Sequence, residues 1–116
     1  MLESEVEKNL VQGVKKLGGL CLKWVSPGYS GVPDRIVFLP GGCVYFVELK
    51  QDRGRLSARQ KYVHKCFKKL GFSVYTLKGM DEVKEFLGEV KMAQDIISLF
   101  HATAFCKRSY GEIGEE

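Results

Sequence analysis

The chain has 116 residues, 45% of them hydrophobic and 28% charged, with a net charge of +4. That balance fits one soluble globular domain with a modest core, for which a dimer is compatible but not required. No apolar run approaches the roughly 18 residues of a membrane span, and the N-terminus is acidic and amphipathic rather than basic and apolar, which excludes a signal peptide and points to the cytosol.

Residues Glu3 to Leu17 read as a helix, with Ser4 as its N-cap and Gly18-Gly19 as its stop. The apolar stripe is Val6, Leu10, Val14 and Leu17, with Val11 beside it. Glu7 falls on or beside that stripe, where a lone charge is costly, so it either pairs with a lysine or joins a metal site. Glu3 and Glu5 are solvated first-turn acids favoured by the helix dipole. Leu20 to Val25 reads as a strand, and Ser26 to Gly31 as a loop by its Pro, Gly and Ser content. The loop's amides, with Ser26, Tyr29 and Ser30, are candidates for phosphate contact; a plain connection is the simpler account of each.

Two β-rich runs, Arg35 to Leu39 and Cys43 to Leu49, flank Pro40-Gly41-Gly42, a hairpin signal. Pro33 cannot donate a ladder bond, so the strand begins at or after Asp34. A turn centred on Gly41 sets Leu39 opposite Cys43 and, counting outward, Asp34 opposite Glu48. Lys50 lies two residues further and shares that side. Ile36, Phe38, Val44 and Phe46 lie on the same face, which suggests a core there rather than open water. Two facing carboxylates repel unless something neutralises them, and Mg²⁺ suits one or two carboxylates plus exchangeable waters. The lysine beside them would hold the attacking water or offset transition-state charge. The plainer alternative makes Asp34 a loop cap and Glu48–Lys50 a solvated strand-end pair. A register shift of one residue would separate the two acids.

Asp52 to Leu56 is a short basic connection, and Ser57 to Leu70 reads as a helix opened by a Ser57/Gln60 capping box. Its stripe is the Arg59 stem, Tyr62, Val63, Cys66, Phe67 and Leu70, with Lys61, His64, Lys65 and Lys68 opposite. Gln60 closes the box and also faces the end of the Glu48 strand; His64 reads as a surface residue rather than a general base. Gly71 ends the helix, and Phe72 to Leu77 completes a mixed sheet through this crossover. Asp81 caps a last helix with the stripe Phe86, Val90, Ala93, Ile97, Phe100 and Ala104. The part from Lys91 to Phe105 continues it or forms a separate helix, and its apolar side meets either a second subunit or its own sheet.

The charge is uneven. Residues 51–70 carry seven basic side chains against one acidic, directly after Glu48-Leu49-Lys50, as a phosphate backbone would require. Cys21, Cys43, Cys66 and Cys106 are isolated and read as reduced thiols; without paired spacing, and with His64 and His101 far apart, zinc is not indicated.

Asp34 followed by Glu48-x-Lys50 resembles the PD-(D/E)xK nuclease pattern, with Pro33-Asp34 as its first half. With Ser4, Glu7, Gly18-Gly19, Lys23, Gly31-Val32-Pro33-Asp34-Arg35, Phe46 to Lys50 and Gln60, the order is similar to a standalone VRR-NUC domain, over about residues 3–87. The resemblance implies an α/β, restriction-endonuclease-like core, a mixed β-sheet flanked by helices, here with an extra C-terminal helix. It implies Mg²⁺ or Mn²⁺ on Asp34, Glu48 and the Leu49 carbonyl, with Lys50 assisting water and Glu7 and Gln60 as further catalytic positions.

Small phage-type members resemble Holliday-junction resolvases acting as homodimers, in the host cytosol if phage-encoded. The expected partner is therefore branched DNA, held by Lys23, Ser30, Arg53, Arg55, Arg59, Lys61 and Lys65. The expected organisation is a nuclease domain over 1–90, a helical extension and dimer interface over 91–108, and an acidic tail over 109–116. A less selective or restriction-type nuclease, and a non-catalytic nucleic-acid-binding module, stand as the alternatives.

Overall fold

The computed structural model describes residues 3–100; Ala104, Cys106 and the tail 109–116 lie outside the described residues. The element order is α1 (Glu3–Lys16), β1 (Leu20–Lys23), β2 (Arg35–Leu39), β3 (Cys43–Lys50), α2 (Ala58–Lys69), β4 (Ser73–Lys78) and α3 (Gly79–Phe100). The strands form one mixed sheet in chain order. β1, β2 and β3 are antiparallel neighbours, and β4 joins β3 in parallel after the α2 crossover.

The β2–β3 register follows from the turn. Gly41 and Gly42 both take positive φ, +85° and +75°, which favours glycine, and Leu39 pairs with Cys43 across them. The alternation of side chains then divides the sheet into two faces. Val37, Leu39, Val47, Leu49 and Leu77 point to one side and are buried against Val6, Leu10 and Val14 of α1 and Val83, Phe86 and Val90 of α3. The face with Ile36, Phe38, Val44 and Phe46 forms a thinner second layer, in which Ile36, Val44 and Phe46 are half-buried and Phe38 is exposed. Trp24, Phe46, Phe67 and Phe72 stack beneath α2. The 12-residue α2 contacts β4, so the β1–β2 half stays open, with Leu20 61% and Phe38 39% exposed.

Two expected caps are displaced. Ser4 lies inside α1, which already begins at Glu3. Asp81 is in the first turn of α3 rather than before it, because β4 passes straight into the helix at Gly79, whose φ of +81° makes the abrupt turn. Glu82 Oε1 instead accepts the Lys78 N–H at 3.0 Å. α3 runs without a break through Gly88 to Phe100. No helix among the described residues is long and apolar enough to cross a membrane. Cys21, Cys43 and Cys66 are free thiols, Cys21 buried and the others half-buried.

Candidate active site

The hairpin assembles the site. Arg35 pairs with Val47, so one step outward sets Asp34 beside Glu48. The Leu49 N–H donates to Asp34 Oδ1 at 3.2 Å and turns that carboxylate toward β3. Glu48 pairs with Thr76 and Lys50 with Lys78 across β3–β4, so these four side chains share the Asp34 face.

Glu48 is 5% exposed. Its Oε2 accepts from Gln60 Nε2 at 3.3 Å and lies 3.7 Å from Lys50 Nζ. Its Oε1 faces His64 Nε2 at 3.9 Å. Burial, reinforced by the Asp34 charge and only partly offset by Lys50, pushes the Glu48 carboxyl up to about 7. Burial also raises Asp34, against the lowering effects of the Leu49 N–H, Arg35 and Lys50. The imidazole of His64 is held below its usual value by burial and by the Lys68 and Lys50 charges.

Gln60 closes the expected capping box and also reaches the Glu48 strand. Its Oε1 accepts the Ser57 N–H at 2.9 Å while Ser57 Oγ accepts the Gln60 N–H, closing the capping box, and its amide nitrogen reaches Glu48. His64 departs from expectation: it is 3% exposed, not on the surface. The inward row of α2 is Gln60, Val63, His64 and Phe67, an i, i+3, i+4, i+7 stripe. Tyr62 and Leu70, expected on it, are exposed. The helix turns its polar row inward because Glu48 offers a carboxylate there, while Arg59 leaves for the loop. Arg59 Nε donates to the Ser30 carbonyl at 3.1 Å, and its guanidinium stacks 4.7 Å from the Tyr29 ring centre.

The remaining candidates are spread around this centre. Glu7 reaches over from α1 and pairs with Arg35 at 3.0 Å, an arginine rather than a lysine. Arg35 points to the α1 side, so Glu7 is not part of the Glu48 cluster, although its charge acts to raise Asp34. Lys23 pairs with Arg35 and shares that opposite face. Arg53 and Lys65 are exposed. Arg55 and Lys61 line an open depression of about 410 Å³ with Leu56, Thr76 and Lys78. Sequence reasoning misses Lys78; its signal is the parallel pairing with Lys50. Among the described residues no three His, Cys, Asp or Glu converge as a metal cluster, so the oxygen donors available are the two carboxylates and nearby backbone carbonyls.

A four-stranded mixed sheet carrying two acids and a lysine on adjoining strand ends, backed by α1 and α3 and crossed by α2, makes an α/β domain whose class is given by its relatives. No protein-family model matches the chain. It is 43% identical over 79 residues to nuclease p44 of Acyrthosiphon pisum secondary endosymbiont phage 1, covering 68% of this chain and 85% of that one. A solved VRR_NUC domain superposes with a TM-score of 0.70 at 32% identity, covering 74% of this chain and 94% of that one. A second VRR_NUC domain protein shares the fold at 0.59 and 19% identity, covering 76% and 86%. The chain belongs to the VRR-NUC nuclease family.

Proposed function

We propose that this protein is a metal-dependent DNA endonuclease, selective for branched DNA, that hydrolyses phosphodiester bonds at Asp34, Glu48 and Lys50. The observation that carries the reading is the convergence of these three side chains beside a basic depression. Asp34 and Glu48 would hold Mg²⁺ or Mn²⁺, with the Leu49 carbonyl as a further oxygen. The donor set fits, because it is all hard oxygen. Two acids with raised pKa lie side by side, Glu48 buried and Asp34 half-buried, and Glu48 Oε1 has no hydrogen-bond partner. When bound, the cation offsets charge on the phosphoryl oxygens and makes its water more acidic.

The protein's own groups do the rest. Lys50 Nζ lies within a side chain's motion of Glu48 and is placed to hold the attacking water or to stabilise the charge that develops in the transition state. Gln60 keeps the Glu48 carboxylate in plane. Arg55, Lys61 and Lys78 hold phosphates flanking the scissile one. Two symmetric cuts need two sites, so the active form is a twofold dimer. The exposed side of α3 at Met92 and Ile96 is available for the second copy.

The test compares a synthetic four-way junction with its linear arms in Mg²⁺, Mn²⁺ or EDTA, using wild type and Asp34→Ala. Paired nicks on the junction alone, abolished by EDTA and by the substitution, are the expected result. Equal cutting of the arms overturns branch selectivity, and cutting unaffected by Asp34→Ala overturns the site.

A further inference from the structure

Of the three buried side-chain atoms without a hydrogen-bond partner among the described residues, two face one another beside the carboxylate pair: Glu48 Oε1 and His64 Nε2. They are 3.9 Å apart, with both side chains almost wholly buried. That is too long for a hydrogen bond and shorter than the two bond lengths an intervening water would need in line. Leaving both orphaned is costly, and a folded protein rarely tolerates it without a compensating use.

The environment specifies that use. Glu48 Oε2 is already served by Gln60 and Lys50. Oε1 has only His64. Gln60 and His64 sit one turn apart on α2, and Val63 and Phe67 anchor the same row beneath the helix. A shift of about 1 Å closes the gap to an ordinary N–H···O bond.

We propose that His64 is a positioning residue: its Nε2–H donates to Glu48 Oε1 and, with Gln60 on Oε2, fixes the plane in which Glu48 presents itself to a divalent cation. The proposal rests on the metal reading of Asp34 and Glu48 above. The downward pull of burial, Lys68 and Lys50 on the imidazole agrees with a neutral donor. Metal-site carboxylates depend on such outer hydrogen bonds for orientation. A histidine that merely filled space would be replaceable by an apolar side chain of similar size with no consequence for the cation.

The experiment is calorimetric titration of Mn²⁺ into DNA-free wild type, His64→Leu, His64→Gln and Asp34→Ala, with thermal unfolding of each in EDTA. We expect His64→Leu to stay folded and to bind Mn²⁺ about 10- to 100-fold more weakly. His64→Gln, which restores an N–H donor, keeps most of the affinity. Wild-type affinity in His64→Leu overturns the proposal. So does a loss in His64→Gln as large as in His64→Leu, and this arm decides if the leucine variant does not fold. Wild type that binds no Mn²⁺ sinks the metal reading itself. Binding by wild type that Asp34→Ala abolishes keeps that reading and leaves His64 to be judged alone.

Discussion

The side-chain amide of Gln60 joins a helix cap to a strand carboxylate: Oε1 closes the box with Ser57 while Nε2 lies 3.3 Å from Glu48 Oε2. The two jobs separate by substitution. Gln60→Ala loses both, costing about 1 kcal/mol of stability for the cap together with cleavage rate. Gln60→Glu keeps an acceptor for the Ser57 N–H but sets a carboxylate against Glu48. With Mg²⁺ present, Gln60→Glu therefore unfolds near the wild-type temperature and cleaves poorly. Thermal unfolding and single-turnover cleavage on the same samples measure this; wild-type cleavage by Gln60→Glu would show that the Glu48 contact is idle.

The raised Glu48 carboxyl makes the metal-free fold pH-dependent. Its folded value of about 7 exceeds the 4.5 of an unfolded glutamate, so the folded state holds a proton that the unfolded state has lost between those values. The contribution is present below about 4.5 and is lost as pH rises through about 7. Asp34 and His64 titrate as well, so the comparison is wild type against Glu48→Gln in EDTA. The advantage of the glutamine variant grows across that window by up to the order of 3 kcal/mol. On the metal reading proposed above, a divalent cation needs the ionised form and is expected to bind more tightly as pH rises through the same range. Denaturant titrations at several pH values check the first statement, and a difference between the two proteins that stays flat with pH contradicts it.

Arg35 is buried and has Glu7 as its ion-pair partner at 3.0 Å. Glu7→Gln leaves that guanidinium underserved and destabilises the protein by about 1–3 kcal/mol. In an Arg35→Met background the same change costs much less, since no buried charge remains to be matched. Denaturant midpoints for the four proteins of this cycle give the coupling. Removing the Glu7 charge also takes away one of the influences that raise Asp34, so the Asp34 carboxyl moves downward.

Legibility in the sequence tracks how local the cause is. The hairpin register is readable because Gly41-Gly42 and strict alternation set it over a dozen residues, and it carries Asp34 to Glu48 correctly. The Ser57/Gln60 box is readable for the same reason. The rotation of α2 is not. Apolar content draws the stripe through Tyr62 and Leu70, yet the inward row contains Gln60 and His64, whose burial depends on Glu48 arriving from another element. The place of Glu7 on its stripe signals the need for a partner, but Arg35 comes from 28 positions away on β2 and only the tertiary packing supplies it. The Asp81 cap fails because Gly79 removes the loop that a cap would occupy.

The proposed DNA path over the basic depression beside Lys50 predicts a salt dependence. Each phosphate neutralised lowers the log–log slope of affinity against salt by about 0.9 on duplex DNA. Arg55→Ala and Lys61→Ala should each flatten that slope by about 1 and weaken all substrates alike. Binding is measured with the cleavage-deficient Asp34→Ala protein across a salt series. An unchanged slope in the double variant would place the DNA elsewhere.

Gly31 holds the loop that delivers Asp34 against the helix that supplies Gln60. Its φ is +89°, and a Cβ there would stand 3.0 Å from the Arg59 carbonyl oxygen and from Val63 Cγ2. Neither the backbone nor the buried valine can yield cheaply, and the left-handed conformation alone costs a side chain about 1–2 kcal/mol. Gly31→Ala therefore lowers stability by at least that amount. It also strains the Arg59–Ser30 bond and moves Pro33-Asp34 away from Leu49, so cleavage falls with it. Gly28, three residues earlier in the same loop, has open space where a side-chain carbon would stand and serves as the control. Denaturant midpoints and single-turnover rates for both variants decide the matter. Equal effects at the two glycines would mean that the close approach of loop and helix does not position the carboxylate.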